Sequence, residues 1–352
     1  MYTEKLEKIF KEIGSVSMKK YITIIIIFLS VLLLISGCAN NEEASQQKIT
    51  IAEQYGLAYA PVQLIKELNF LKAADPDLEV EWKQLSNTTS IRESMLAGEV
   101  DIAFMAIPPF LIARDKGMGW KIISGLSESP LGLMTNREDI NSLADFKTDS
   151  KIALPQPGSI QHILLSMAAE REFGEVDRFD EQLLTMSHPD AMNALLAGRE
   201  VSAHFASPPY LFLESREEGI KKILSGREAF GGDFTFIVGV STEQFYEEQP
   251  QNYSNFLEAL GKAIEFIDQK PDEAAEILAD NYNLEPSEMR DYLSWSRMKF
   301  TSKIKGLDKF IDFMAAESYL EKNSYQYSEL VFEENLAGEK AISEEGASQN
   351  EE

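Results

Sequence analysis

Three observations predict an α/β fold in two lobes for this 352-residue chain. β-rich runs alternate with segments of helical periodicity, the alternation occurs twice, and the two passes echo each other at an interval of one hundred residues. In the echo Leu96-Ala97-Gly98 recurs as Leu196-Ala197-Gly198, Ala103 as Ala203, Ala106 as Ala206, and Pro108-Pro109-Phe110-Leu111 as Pro208-Pro209-Tyr210-Leu211. Eight of the sixteen positions from Leu96 to Leu111 are identical to their counterparts. Solenoids repeat every ~20 to 50 residues, so this longer interval points to two lobes of similar build.

Along the first pass, Lys48-Ile49-Thr50-Ile51-Ala52 reads as a strand that leads through a Gly-containing turn into the helical pattern Val62, Ile65, Leu68 and Phe70-Leu71. Leu78 to Trp82 is the next strand, followed by a helix ending at Leu96-Ala97-Gly98 and a strand stopped by Pro108-Pro109. The second pass repeats the order. Lys151 to Leu154 runs through Pro155-Gln156-Pro157-Gly158-Ser159 into Ile160, Ile163-Leu164 and Met167, then Gln182 to Met186, a helix ending at Gly198, and a strand stopped by Pro208-Pro209. Strands alternating with helices at this spacing imply mainly parallel sheets flanked by helices. Two further strands, Leu131 to Thr135 outward and Phe234 to Val240 back, serve as hinge strands between the lobes. Lobe 1 is therefore expected from residues 48–132 and 238–332, and lobe 2 from 133–237. The returning part carries amphipathic helices, with Phe256, Leu257, Leu260, Ile264 and Ile267 at helical spacing and with Pro271 and Pro286 separating later ones.

The amino terminus carries a different kind of signal. Cys38 is the only cysteine, and it closes Ile35-Ser36-Gly37-Cys38 directly after the apolar run Tyr21 to Leu34, with Lys19-Lys20 in front. Ile22 to Ile35 is fourteen residues, whereas a membrane-spanning helix needs about 20, so residues 1–37 read as a signal peptide rather than an anchor. Lipidation is expected on Cys38, and Met18 is an alternative start. Residues 38–47 form a polar tether, and the acidic stretch 333–352 a disordered tail.

Charge narrows the partners. The chain has 33 Lys and Arg against 58 Asp and Glu, a formal charge of −25; removing the leader's five basic and three acidic residues leaves −27. Such a surface repels phosphate backbones, which excludes nucleic-acid binding through a basic face and places membrane attachment on the lipid.

In open α/β sheets ligands bind beyond the carboxyl ends of the strands. Two facing lobes would then enclose a cleft lined by the loops at those ends. The candidate contacts are Gln54, Tyr55 and Tyr59 after the first strand, Asn87 and Thr88 before the next helix, Ala106 and Ile107 after the third strand, and Gln156, Gly158, Ser159, Ile160 and Gln161 at the second lobe's first helix start. His188 and Ser207 complete the set. Gly158 allows close backbone approach, and Ser159 either caps its helix or joins first-turn N–H groups in holding a ligand. Tyr55 and Tyr59 either pack or stack on a planar ligand; Asn87 and Thr88 either cap a helix or donate and accept in the cleft. His204, in a strand between Ala203 and Phe205, is expected in the core or on the lobe surface.

Catalytic signatures are missing. The three histidines, His162, His188 and His204, lack zinc-site spacing, and no nucleophile elbow, phosphate loop, dinucleotide fingerprint or His-Glu-x-x-His occurs. No metal or cofactor is expected, and Glu53 is a general base only if it faces the cleft.

The leader, the opening Ile49 to Pro61, the stretch Leu96-Ala97-Gly98-Glu99-Val100-Asp101-Ile102-Ala103-Phe104, and Asp145-Phe146-Lys147 before Lys151-Ile152-Ala153 together resemble the substrate-binding lipoproteins of ABC importers for nitrate, taurine, aliphatic sulfonates and the thiamine pyrimidine precursor. The resemblance covers about residues 48 to 300. It implies a type II periplasmic-binding-protein fold, a monomer that closes on a small-molecule ligand by hinge motion and delivers it to an ABC permease, without chemistry. It also implies that Gln54, Tyr55, Tyr59, Ala106, Ile107, Gly158, Ser159 and Ile160 line the pocket. The missing cleft Arg or Lys departs from a sulfonate or nitrate binder and leaves a neutral or aromatic ligand open. Enzymes of the same superfamily that consume their own histidine carry a cysteine-rich motif, which this chain lacks. A ligand-gated sensor and a cleft hydrolase are the competing classes, separable by a neighbouring kinase gene or by turnover of a bound compound.

Overall fold

Consecutive β-branched residues, Ile49, Thr50 and Ile51, favour extended backbone, and Lys48–Glu53 forms strand β1. The computed structural model describes residues 48–332. The expected leader, Cys38, the tether and the acidic tail lie outside the described residues.

After β1 the chain turns at Gly56, whose φ is 134°, and enters α1 (Ala60–Glu67) with Pro61 in its first turn. Asn69, at φ 53°, breaks the expected single helical run, so that α2 (Phe70–Ala74) is separate. Next come β2 (Glu79–Gln84), α3 (Thr88–Leu96), β3 (Ile102–Ala106), α4 (Ile107–Asp115) and β4 (Trp120–Glu128). The second pass is β5 (Gly132–Thr135), β6 (Ile152–Leu154), α5 (Ile160–Phe173), β7 (Leu183–Thr185), α6 (His188–Ala197), β8 (Ala203–Ala206), α7 (Tyr210–Glu214), β9 (Lys221–Ser225) and α8 (Gly226–Phe230). The chain then returns through β10 (Ile237–Thr242), α9 (Glu243–Glu248), α10 (Pro250–Gln269), α11 (Pro271–Tyr282), α12 (Pro286–Leu293), β11 (Lys299–Phe300), α13 (Leu307–Ala316) and α14 (Tyr327–Leu330).

Two sheets result, ordered β11-β4-β10-β3-β1-β2 and β7-β6-β8-β5-β9. The repeat is visible in their topology: β2-β1-β3 in one matches β7-β6-β8 in the other, and all four pairings within these triplets are parallel. The strands that arrive from the opposite lobe, β5 and β10, run antiparallel to both of their neighbours. Each sits at the same place, beside the third strand of the repeat. The crossings themselves are the short segments between β4 and β5 and between α8 and β10.

Burial explains the absence of alternation in these strands. Every residue of β3 is buried, and Phe104 packs on Phe256 of α10 with ring centroids 6.0 Å apart. Helices thus cover both faces, as a parallel sheet requires. The paired prolines correct the sequence expectation. Rather than stopping a strand, Pro108-Pro109 occupy the first turn of α4, after β3 has ended at Ala106, where a missing N–H leaves no intrahelical bond unmade. Pro208-Pro209 likewise lead into α7 through a cis bond.

Candidate functional site

At the carboxyl ends of β1, β2, β3, β6, β7 and β8 the loops of both lobes converge on a cleft of about 570 Å³, within the usual range of small-molecule sites. The lobes touch at its rim: Thr89 Oγ1 donates to Gln156 Oε1 at 3.2 Å, and the Leu57 N–H to the Pro208 carbonyl at 3.3 Å. The turn that makes the second contact suits Gly56, whose φ of 134° is one that L side chains rarely adopt.

From the first lobe, Gln54, Tyr55, Tyr59, Asn87, Thr88 and Ala106 reach the cleft. Gln54 Nε2 is held by Thr88 Oγ1 at 3.2 Å, which orients both side chains. Asn87 is also the cap of α3, its Oδ1 accepting the Ser90 N–H at 3.0 Å. Tyr59 is buried, whereas Tyr55 is 57% exposed and leaves its ring open at the mouth. Ile107 does not reach the cleft; it is fully buried in the first turn of α4.

From the second lobe come Gln156, Ser159, Ile160, Gln161, His188 and Ser207. Gly158 does not line the cleft, and its N–H donates to His162 Nδ1 at 3.0 Å instead of facing a ligand. Its φ is +78°, and a Cβ there would come within 3.0 Å of Ile112 on α4 of the other lobe, so this glycine permits lobe contact. Ser159 caps α5 through the His162 N–H.

Among the lining residues outside the sequence-based candidates are Tyr210, Thr185, Met186, Phe236 and Ile237. Tyr210 has a readable signal. It replaces Phe110 of the echo with a ring bearing a hydroxyl, and where Phe110 is fully buried Tyr210 is half-buried and stacks on His188, centroids 5.7 Å apart at 21°. Phe236 and Ile237 reach the cleft because the return crossing passes along its floor, a tertiary fact with no local signature.

The cleft carries no Lys, Arg, Asp or Glu side chain among its described lining residues. Glu53 lies instead in an adjacent cavity with Lys66 and Tyr282, where burial pushes its carboxyl up to about 7 against the pull of Lys66. The general-base condition is therefore unmet in the cleft. Behind the wall a hydrogen-bonded chain runs inward: Gln161 Nε2 to His188 Nε2 at 3.3 Å, His188 Nδ1 to His204 Nε2 at 2.8 Å, and His204 Nδ1 to Glu214 Oε1 at 2.5 Å. His204 and Glu214 are wholly buried. Burial drives His204 down to about 3 and Glu214 up to about 8, and it lowers His188 together with the adjacent His204 ring. His162 is occupied separately, its Nε2 3.0 Å from Asp180 Oδ1. Among the described residues no cluster of His, Cys, Asp and Glu has the arrangement of a metal site, and no helix is long and apolar enough to cross a membrane.

A family model described as NMT1/THI5 like matches residues 58–274. A putative aliphatic sulfonates-binding protein of Bacillus subtilis (strain 168) is 25% identical over 282 residues, covering 76% of this chain and 81% of that protein. Among solved structures, the alkanesulfonate-binding protein SsuA from Xanthomonas axonopodis pv. citri, bound to MOPS, superposes with a TM-score of 0.68 at 18% identity, over 80% of this chain and 97% of that one. The periplasmic nitrate-binding protein NrtA from Synechocystis PCC 6803 superposes with a TM-score of 0.64 at 16% identity, over 80% and 84%. These likenesses show the periplasmic-binding-protein fold.

Proposed function

Because the chain belongs to the NMT1/THI5-like family, we propose that it is the extracytoplasmic solute-binding lipoprotein of an ABC import system. It captures a small organic molecule between its lobes and presents the closed form to the permease. The binding-protein relatives support the class, and Cys38 supplies the lipid anchor on the outer face of the cytoplasmic membrane.

The observation that carries this reading is the cleft itself, built from equivalent loops of the two halves, with no charged side chain among its described lining residues. Ligand contacts are assigned to Gln54, Tyr55, Tyr59, Asn87, Thr88, Ala106, Gln156, Ser159, Ile160, Gln161, His188 and Ser207, with Tyr210 added. Sulfonates, nitrate-like anions, pyrimidines and aromatic compounds are the candidate ligands. The uncharged wall and its tyrosine rings favour a neutral or aromatic one, since a fully charged anion would lose hydration without gaining a cation.

Thermal unfolding of the full chain against such a panel tests the proposal. A true ligand at 100 times its dissociation constant adds about 2.7 kcal/mol of stability. Turnover of the stabilising compound, or stabilisation untouched by Tyr210→Ala and Gln161→Ala together, would refute it.

A further inference from the structure

A buried carboxyl group with no cation beside it is the least expected feature of the second lobe. Glu214 Oε1 meets His204 Nδ1, and Glu214 Oε2 has no hydrogen-bond partner among the described residues. The surroundings offer no compensating charge. α6 contributes His188, β8 contributes His204, α7 contributes Tyr210 besides Glu214, and α5 contributes Gln161. β5 (Gly132–Thr135), β6 (Ile152–Leu154) and β7 (Leu183–Thr185) contain no ionisable residue. Arg216, the nearest cation in sequence, pairs with Glu288 and Tyr292 of α12. An isolated carboxylate in such a place is costly, so the group keeps a proton or shares one.

We propose that Glu214, His204 and His188 form a proton relay that decides what the His188–Gln161 pair offers the ligand in the cleft: a hydrogen-bond donor while the relay is loaded, an acceptor once one proton has left. The proton positions follow from the three links. In the loaded state one proton lies between Glu214 Oε1 and His204 Nδ1, a second on His204 Nε2 points to His188 Nδ1, and a third on His188 Nε2 points to the Gln161 carboxamide at the cleft wall. On unloading, the third proton leaves through the cleft and each bond reverses. His188 Nδ1–H then donates to His204 Nε2, His204 Nδ1–H donates to the Glu214 carboxylate, and His188 Nε2 is left as an acceptor. Gln161 follows in either state. Its Nε2, the nearer atom, suits the lone pair, and half a turn of the carboxamide presents Oε1 to the N–H.

The upward displacement of Glu214 and the downward displacement of both histidines agree with a loaded, uncharged relay at neutral pH. With its Oε1 turned to the His188 N–H, Gln161 then shows the cleft its amide N–H, and the ligand group seated there is an acceptor: a carbonyl oxygen or a ring nitrogen. Glu214 and His204 are positioning residues, acting through His188. The inference rests on the solute-binding reading for its ligand but not for its proton chemistry.

With three histidines in the chain, long-range ¹H–¹⁵N spectra of the ¹⁵N-histidine-labelled full chain read each tautomer directly. The expected result is Nε2–H on both His188 and His204 at pH 6.5, and a joint change to Nδ1–H by pH 9.5, with one shared midpoint near the raised Glu214 value of about 8. Glu214→Gln, whose amide donates permanently to His204 Nδ1, should hold both rings as Nε2–H throughout. Tautomers that stay fixed in the wild-type chain, change independently, or still change together in Glu214→Gln would overturn the relay. The two readings fail separately: a moving tautomer pair with no stabilising compound in the panel refutes solute binding, whereas a stabilising compound with static tautomers refutes the relay alone.

Discussion

Glu214 and Glu53 carry carboxyl groups that the fold holds at about 8 and about 7, above the ordinary 4.5, because both are buried. Between the ordinary value and the raised one, the folded chain binds more protons than the unfolded chain, so stability falls as pH rises through that window. The lowered histidines act oppositely: below their ordinary 6.5 the unfolded chain binds the extra protons, so stability falls as pH falls. Above pH 6.5 only the carboxyl effect remains. From pH 6.5 to 8 the wild-type chain should therefore lose about 1 to 2 kcal/mol through Glu214, since one proton held by the fold alone is worth ~1.4 kcal/mol for each step of one in pH. Glu214→Gln should remove that part of the slope. Chemical denaturation at the two pH values measures it; equal slopes in the two proteins would show that Glu214 ionises freely in the fold. None of this is legible in the sequence, where Glu214 is one of 58 acidic residues. Of the two positions expected for His204, core or lobe surface, its complete burial selects the core.

Elements are more legible than side-chain contacts, because their signals are local. The hundred-residue echo corresponds to two equivalent triplets of parallel strands, and Gly98 and Gly198 adopt φ of 70° and 67° at matching helix ends. Proline spacing marks the starts of α11 and α12. The Pro-Pro pairs mislead because the same dipeptide that cannot continue a strand is well suited to a helix's first turn. Topology places the loop residues near the cleft, yet it cannot say that Ile107 points into the core or that the Gly158 N–H is consumed by His162. For Gly158 the corrected role yields its own prediction. Alanine at φ +78°, with its Cβ 3.0 Å from Ile112 Cδ1, should destabilise the full chain by about 1 to 2 kcal/mol in thermal unfolding. An unchanged midpoint would mean that the lobes need no close approach there.

For the whole molecule, address and mechanism are separate questions. The proposed anchor predicts that Cys38→Ala abolishes palmitate incorporation and releases the chain from membranes, because a formal net charge of −25 is repelled by anionic lipid. Retention of Cys38→Ala on membranes would point to another attachment. The proposed capture uses the two lobes joined by two short crossings, an arrangement of the kind that hinge closure needs, and a ligand shifts open and closed populations only by its different affinity for the two.

The most direct test uses the repeat's own symmetry. Leu96 and Leu196 are exposed at equivalent helix ends, one on each lobe. Spin labels on Leu96→Cys and Leu196→Cys in a Cys38→Ser background report the distance between lobes by pulsed electron resonance. Adding a compound that stabilises the chain should shorten and narrow the distance distribution. An identical distribution with the compound saturating would contradict capture by closure of the cleft.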